Sequence, residues 1–418
     1  MIPPVTEAAP RSPHEGKKRL RVLIACDTFP PDINGSATFS AQLAAGLIER
    51  GHEVHIAAPA ASYTKFGTVT EEHRGASMTV HRIYSWRWYP HPWLRFALPW
   101  RIKANSARIL DKVKPDVVHF QSHIVIGRGM SIEGRKRGVR VIGTNHFMPE
   151  NLLDYTAIIP KGLLKKAIRM AWAAADRSFS RAERVTTPTR RAADYLEQNT
   201  SVRGVIPISC GLDVHKYTAS FEPRRANRIV FLGRIVEEKQ IDRLIRAYAM
   251  LPADLDAQLE IMGGGDQLHH LQQLAEKLGV RDRIEFSGFV SEEHIRQSLT
   301  SATVFAMPSI AELQSISTME AMASGLPVVA ANAMALPHLV HDGENGYLFE
   351  AGNAEDLAAK LETVLRLPEE QLQRMKRESL SIVQAHDIQR TLDTFESLYR
   401  GEPVEAPIPD AAGSTPAE

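Results

Sequence analysis

A chain of 418 residues is too long for one ordinary hydrophobic core, and a composition of 44% hydrophobic and 24% charged residues is ordinary for a globular protein, so two domains are the starting expectation. Two cysteines make neither a disulfide framework nor a zinc spacing and fit a reducing cytoplasm; no apolar run is long enough to span a bilayer, and the first residues lack a signal-peptide core. The net charge of +1 conceals a split: residues 1–200 hold 30 Lys and Arg against 17 Asp and Glu, so the first half is expected to face something anionic.

Residues 1–18 and the Pro/Ala-rich residues 401–418 read as disordered tails. Arg21-Val-Leu-Ile-Ala-Cys26 is a continuous apolar run, the pattern of a parallel strand buried on both faces. A loop ending in Asn34-Gly35 leads into a helix over residues 37–50, which Gly51 stops. Val54-His-Ile-Ala-Ala58 is the second strand. Residues 84–103 then hold four of the five tryptophans, interleaved with Arg87, Arg95, Arg101 and Lys103. Trp86, Trp88 and Trp93 beside Arg87 have the apolar body and cationic rim of an element at a membrane interface. Strand ends follow at residues 117–119 and 139–142, each after a helical stretch. A helix from about residue 160 to 172 carries Leu163, Leu164, Ala167, Ile168 and Ala171 on one face, flanked by Lys165, Lys166 and Arg169. Each basic residue near an anionic surface is worth ~1 kcal/mol, so the group could hold the protein there reversibly. The competing reading is a solvated basic helix beside a buried aromatic loop.

The strand–helix rhythm restarts at residues 228–233, continues with strands at 257–262, 284–286, 302–306 and 327–330, and ends in a helix over roughly 380–400. Alternation of this kind means an α/β fold with right-handed crossovers, here two Rossmann-like sheets with a hinge near residues 207–225. The expected division is a first domain over 19–206, a second over 207–378, and a terminal helix, 379–400, that packs back toward the first domain. Within the second sheet Glu312 and Glu320 stand eight residues apart. Glu320 is expected to begin a small-residue helix, which puts both carboxylates on the rim where open α/β sheets bind ligands. Carboxylates accept hydrogen bonds from vicinal hydroxyls, and the helix start between them suits a diphosphate. On spacing alone, a solvated Glu and a capping Glu explain the pair equally well.

Taken in order, Asn34-Gly35, Thr144-Asn-His146, Gly211-Leu-Asp213, Gly233-Arg234 with Lys239, Gly263-Gly-Gly265, Ser287-Gly-Phe-Val290 and the E-x7-E of Glu312 and Glu320 resemble the family-4 retaining glycosyltransferases of the GT-B fold. The resemblance covers about residues 20–400 and implies two facing Rossmann-like domains with a nucleotide sugar between them. It implies that Arg234 and Lys239 clamp the donor diphosphate, that Glu312 holds the transferred sugar and Glu320 the ribose, and that Gly35 lets the first-domain loop approach the phosphates. It places His146 at the donor sugar and the attacking hydroxyl. Gly233, Gly263, Phe289, Val290, Leu313, Gln314, Ser315 and Ile316 complete the donor site it implies. Two positions depart from the family pattern, Gln240 and Ser315, where the family usually has Gly.

The same resemblance implies no metal and no cofactor, a donor such as GDP-mannose or UDP-glucose, and a phosphate leaving group that takes the acceptor proton itself. Asp254-Leu-Asp256 and His119…His123, which imitate metal motifs, read as a turn and a loop. The aromatic and basic segments are similar in placement to those of the lipid-modifying branch, the phosphatidylinositol mannosyltransferases and diacylglycerol glycosyltransferases. The acceptor expected is therefore a membrane lipid or glycolipid, at the inner face of the cell membrane, with no nucleic-acid partner. A soluble acceptor or growing glycan, and a nucleotide-sugar-binding protein without turnover, are the rival readings.

Overall fold

The structure, a computed structural model, describes residues 18–32, 34–87, 95–149 and 161–404. The tails expected at either end lie almost wholly outside these residues, as do Trp88 and Trp93. The first half lays down β1 (Arg21–Ala25), α1 (Gly35–Glu49), β2 (Glu53–Pro59), the hairpin β3 (Gly67–His73) and β4 (Ala76–Ile83), and a small ribbon of β5 (Ser85–Arg87) and β6 (Arg95–Ala97). It continues with α2 (Ile102–Val113), β7 (Val117–Phe120), α3 (Ile126–Lys136), β8 (Arg140–Thr144), α4 (Lys161–Phe179), β9 (Arg184–Thr187), α5 (Arg190–Asn199) and β10 (Ile206–Pro207). Eight of these strands form one sheet in the order β10-β9-β8-β7-β1-β2-β4-β3, parallel except for the β3–β4 hairpin.

The second half repeats the plan with β11 (Arg228–Leu232), α6 (Ile241–Met250), β12 (Gln258–Met262), α7 (Leu268–Lys277), β13 (Ile284–Gly288), α8 (Glu292–Ser301) and β14 (Val304–Met307). Then come α9 (Ile316–Ala323), β15 (Val328–Ala331), α10 (Leu336–Leu339), β16 (Gly346–Phe349), α11 (Ala354–Leu365), α12 (Glu369–Val383) and α13 (Ile388–Arg400). Its sheet is parallel in the order β13-β12-β11-β14-β15-β16. Both sheets reverse direction beside their first strand, between β1 and β7 and between β11 and β14. Crevices open at such points beyond the carboxyl ends of the strands, and both crevices contribute to one cavity.

Burial follows from the apolar runs. β1, β7 and β14 bury nearly every side chain, because helices cover both faces of each sheet. One face of the first sheet is covered by α2 to α5, through Ile109, Met130, Trp172, Phe179 and Leu196. The other is covered by α1, through Phe39, Leu43 and Leu47, and by the last helix, α13, through Leu392, Phe395 and Leu398. The terminal helix expected over 380–400 is two helices: α12 belongs to the second domain, a turn at Gln384–His386 follows, and α13 crosses to the first. Glu320 does not begin a helix either. α9 starts four residues earlier, after Ser315, and Glu320 lies in its middle.

Candidate active site

Between the two domains lies a cavity of about 730 Å³. From the first domain it takes the loop after β1, with Asp27, Asp32, Asn34 and Gly35, the strand residues Arg87 and Arg95, Ser122 beyond β7, and His146 beyond β8. From the second it takes Arg234, Glu238 and Lys239 beyond β11, Phe289 beyond β13, and the run from Ala311 to Ile316 between β14 and α9. Of the residues expected at the donor, Gly35, His146, Arg234, Lys239, Phe289, Glu312, Leu313, Gln314, Ser315 and Ile316 thus share one wall or the other. Gly233, Gly263, Val290 and Glu320 are not among the lining residues. Glu320 sits farther along α9 and accepts a hydrogen bond from the Tyr217 hydroxyl at 2.8 Å. Gly263 has φ +132°, and a Cβ there would strike the Gly233 carbonyl, so its missing side chain lets two loops pack against each other.

The cations are already matched. Lys239 Nζ is paired with Glu312 in a site where both side chains are nearly buried. Burial pushes the Glu312 carboxyl up, but the Lys239 ammonium and its hydrogen bond outweigh that and hold it below the usual carboxylate range. Arg234 bonds Glu238 at 2.6 Å. The two cations are thus fixed and partly desolvated, each shared with a carboxylate, and charge held in this way acts more strongly on an anion than the same charge in water. α9 adds to it: no side chain caps its first turn, and Gly35 faces that start with only Ile316 Cδ1 near enough, at 3.9 Å, to touch an added Cβ.

Gln314 lines the cavity, but its amide is engaged by the chain between the domains. Its Oε1 accepts from the Cys210 N–H at 2.8 Å and its Nε2 donates to Ser209 Oγ at 2.7 Å. The Leu313 carbonyl accepts from Thr189 Oγ1 at 3.0 Å, a bond between the domains. His146 bonds Gln121 Oε1 through Nε2 at 2.9 Å and packs against Phe39. Burial lowers its pKa to about 3, so the ring is neutral; with an amide oxygen as partner, Nε2 carries the proton. The metal look-alikes dissolve. Asp254 pairs with Arg366, while His119 is walled in by Tyr399 and Thr144.

Asp27 and Asp32 went unnoticed in the sequence, where they read as loop carboxylates. Asp27 accepts from Ser122 Oγ at 2.5 Å and from the Ile126 N–H at 2.7 Å at the start of α3. Its position immediately beyond the β1 run was the available signal, since strand ends at a switch point carry ligand groups.

Two family patterns divide the chain between them. The one described as Glycosyltransferase Family 4 matches residues 33–216, and the one described as Glycosyl transferases group 1 matches residues 218–380. The chain belongs to the family-4 retaining glycosyltransferases of the GT-B fold. The transferase is 28% identical over 346 residues to the GDP-mannose-dependent alpha-mannosyltransferase of Mycolicibacterium smegmatis, covering 80% of this chain and 86% of that one. It is 25% identical over 368 residues to the alpha-monoglucosyldiacylglycerol synthase of Streptococcus pneumoniae, covering 84% and 79%. It is 26% identical over 336 residues to the sulfoquinovosyl transferase SQD2 of Arabidopsis thaliana, covering 76% of this chain but only 61% of that relative's length. Its fold matches the sucrose-phosphate synthase of Thermosynechococcus elongatus with a TM-score of 0.75 at 18% identity, over 92% of this chain and 99% of the other. The enzyme therefore moves a sugar from a nucleotide-sugar donor.

Proposed function

We propose that the enzyme transfers a hexose, mannose or glucose, to a hydroxyl of a membrane lipid or glycolipid, working from the inner face of the cell membrane. The observation that carries this reading is the ribbon β5–β6. Arg87 at the end of β5 lines the cavity, while its neighbour Trp86 is 54% exposed and meets the Trp100 ring, itself 71% exposed, edge to face. The cavity wall is thus continuous with an exposed aromatic edge. α2 starts just beyond Trp100, and α2 and α4 present Lys103, Arg108, Lys165, Lys166 and Arg169 to solvent. Aromatic bodies with a cationic surround suit an anionic bilayer. The relative named for monoglucosyldiacylglycerol supports the same acceptor class.

In this reading Arg234 and Lys239 hold the donor diphosphate, Glu312 binds the sugar, Glu320 the ribose, and His146 the sugar near its reacting carbon. The acceptor oxygen bonds to the sugar's anomeric carbon on the face from which the phosphate oxygen departs. The departing diphosphate takes the acceptor proton, so no protein nucleophile is needed. The protein's part is positioning and charge stabilisation.

Transfer from GDP-mannose and from UDP-glucose, each with and without anionic vesicles carrying phosphatidylinositol and diacylglycerol, tests this by mass spectrometry of the products. A glycolipid that forms with the wild type and disappears with Glu312→Gln is expected. Sugar release that persists without vesicles, with no lipid product, would sink the membrane acceptor and favour a soluble one.

A further inference from the structure

Among the described residues the cavity presents five carboxylates, and four are accounted for. Glu312 is paired with Lys239 and Glu238 with Arg234. Asp27 is held by Ser122 and the start of α3, and Asp266 stands out in solvent. Asp32 remains. It lies on the first-domain wall three residues before Gly35, half-buried, and its Oδ2 accepts a single long hydrogen bond, 3.3 Å, from the Phe29 N–H. Among the described residues no cation stands within ion-pair distance of it. The charged groups that face it, Arg82 on β4 and Arg95 on β6, are turned elsewhere. Arg82 bonds both oxygens of Glu71 and the carbonyls of Pro59 and Pro30. Arg95 bonds Ser85 and lies over the Tyr63 ring at 4.3 Å.

A half-buried carboxylate held by one long hydrogen bond keeps most of its acceptor positions unfilled, which is costly unless something else donates to them. Here the surroundings supply a positive field and, among the described residues, no donor beyond the Phe29 N–H, on the first-domain wall of the cavity, the wall opposite to the one that carries Arg234 and Lys239. An ionised carboxylate offers only acceptor positions, several of them, and neighbouring hydroxyls fill them well. We propose that Asp32 positions the acceptor, receiving hydrogen bonds from hydroxyls of a sugar or polyol headgroup and turning the attacking oxygen toward the donor. This rests on the transfer reading above and narrows it: a headgroup with neighbouring hydroxyls is preferred over the single hydroxyl of diacylglycerol. Burial lifts the Asp32 carboxyl to about 6, against the Phe29 N–H hydrogen bond and the pull of Arg82 and Arg95. Above that pH it accepts; below it the proton occupies one acceptor position.

The test compares wild type with Asp32→Asn on vesicles carrying phosphatidylinositol, monoglucosyldiacylglycerol or diacylglycerol, and on free myo-inositol and methyl glucoside. Binding of UDP and GDP is measured in parallel by calorimetry. The expected result is an acceptor KM at least tenfold higher in the variant for hydroxyl-rich acceptors, with kcat within about threefold and nucleotide affinity unchanged. The wild-type acceptor KM should rise as pH falls through about 6, and the variant's should not. An unchanged acceptor KM in the variant, a preference for diacylglycerol, or a loss of nucleotide binding would each overturn the assignment while leaving transfer intact. A wild type that glycosylates none of these acceptors would remove the transfer reading and this assignment with it.

Discussion

At the residue scale, Gln240 and Ser315 show why the family favours glycine where this chain does not have it. Gln240 has φ +47° and Ser315 φ +78°, both in the left-handed region that side chains disfavour. Gln240 is the hinge residue between the turn that carries Lys239 and the helix α6, and its buried Oε1 finds no hydrogen-bond partner among the described residues. A left-handed non-glycine residue costs roughly 1 kcal/mol and an orphaned buried acceptor a similar amount, offset in part by the extra chain entropy of glycine. Gln240→Gly is therefore expected to raise stability by about 1 kcal/mol, read as a melting temperature higher by a few degrees. A lower melting temperature would mean that the Gln240 side chain packs more usefully than its backbone suggests. Ser315 is a different case, because its Oγ is hydrogen-bonded to Thr318 Oγ1 at 2.8 Å, and exchange to glycine would lose that bond. The carboxylates divide in the same way. Glu312 stood out only through the ordered motifs around it, since its spacing to Glu320 alone left the matter open, whereas Asp32 acquires meaning only when β1, β4 and β6 are brought together around it.

At the element scale, the buried parallel strands were readable because a strand covered on both faces must be apolar along its whole length. The hairpin of β3 and β4 was not. β3, Gly-Thr-Val-Thr-Glu-Glu-His, is mostly exposed at the edge of its sheet and carries no apolar face to betray it. The end of the chain was half legible: a helix was expected over 380–400, but the turn at Gln384–His386 that hands the chain from one domain to the other has no proline or glycine to mark it. What holds α13 is shape. Phe395 is fully buried between Phe39, His119 and Tyr399, with ring centroids 5.9, 5.0 and 6.1 Å away. Phe395→Ala is expected to cost about 3–5 kcal/mol, seen as a lower melting temperature. Because Phe39 also packs against His146, transfer should slow even at temperatures where the variant stays folded.

At the scale of the whole molecule, the two domains also touch through an ion pair at their surfaces. The tight turn of the β3–β4 hairpin, Arg74-Gly75, has φ of +52° and +78°, the signature of a two-residue hairpin loop. It holds Arg74 against Glu292, at the start of α8 in the other domain, at 2.7 Å. Arg74 also pulls on the Glu320 carboxyl, so this contact lies near the residue proposed above to hold the ribose. An exposed pair is worth at most about 1 kcal/mol, which is a factor of about five in an equilibrium constant. Arg74→Glu is expected to weaken nucleotide binding two- to fivefold, and adding Glu292→Arg should restore it. The difference should fade in high salt, since exposed charges are screened. Calorimetric titration of the wild type, Arg74→Glu, Glu292→Arg and the double variant with UDP and GDP reads this out, and an unrescued double variant would show that the contact does not act on nucleotide binding.

The return of α13 to the first domain also bears on how the protein comes into being. A ribosome delivers the first eight-stranded sheet well before Leu392, Phe395 and Leu398 emerge. At roughly 5–20 residues per second, the nascent sheet waits many seconds with the face beside α1 incompletely covered. The first domain to be synthesised is thus completed only after the whole of the second has been made.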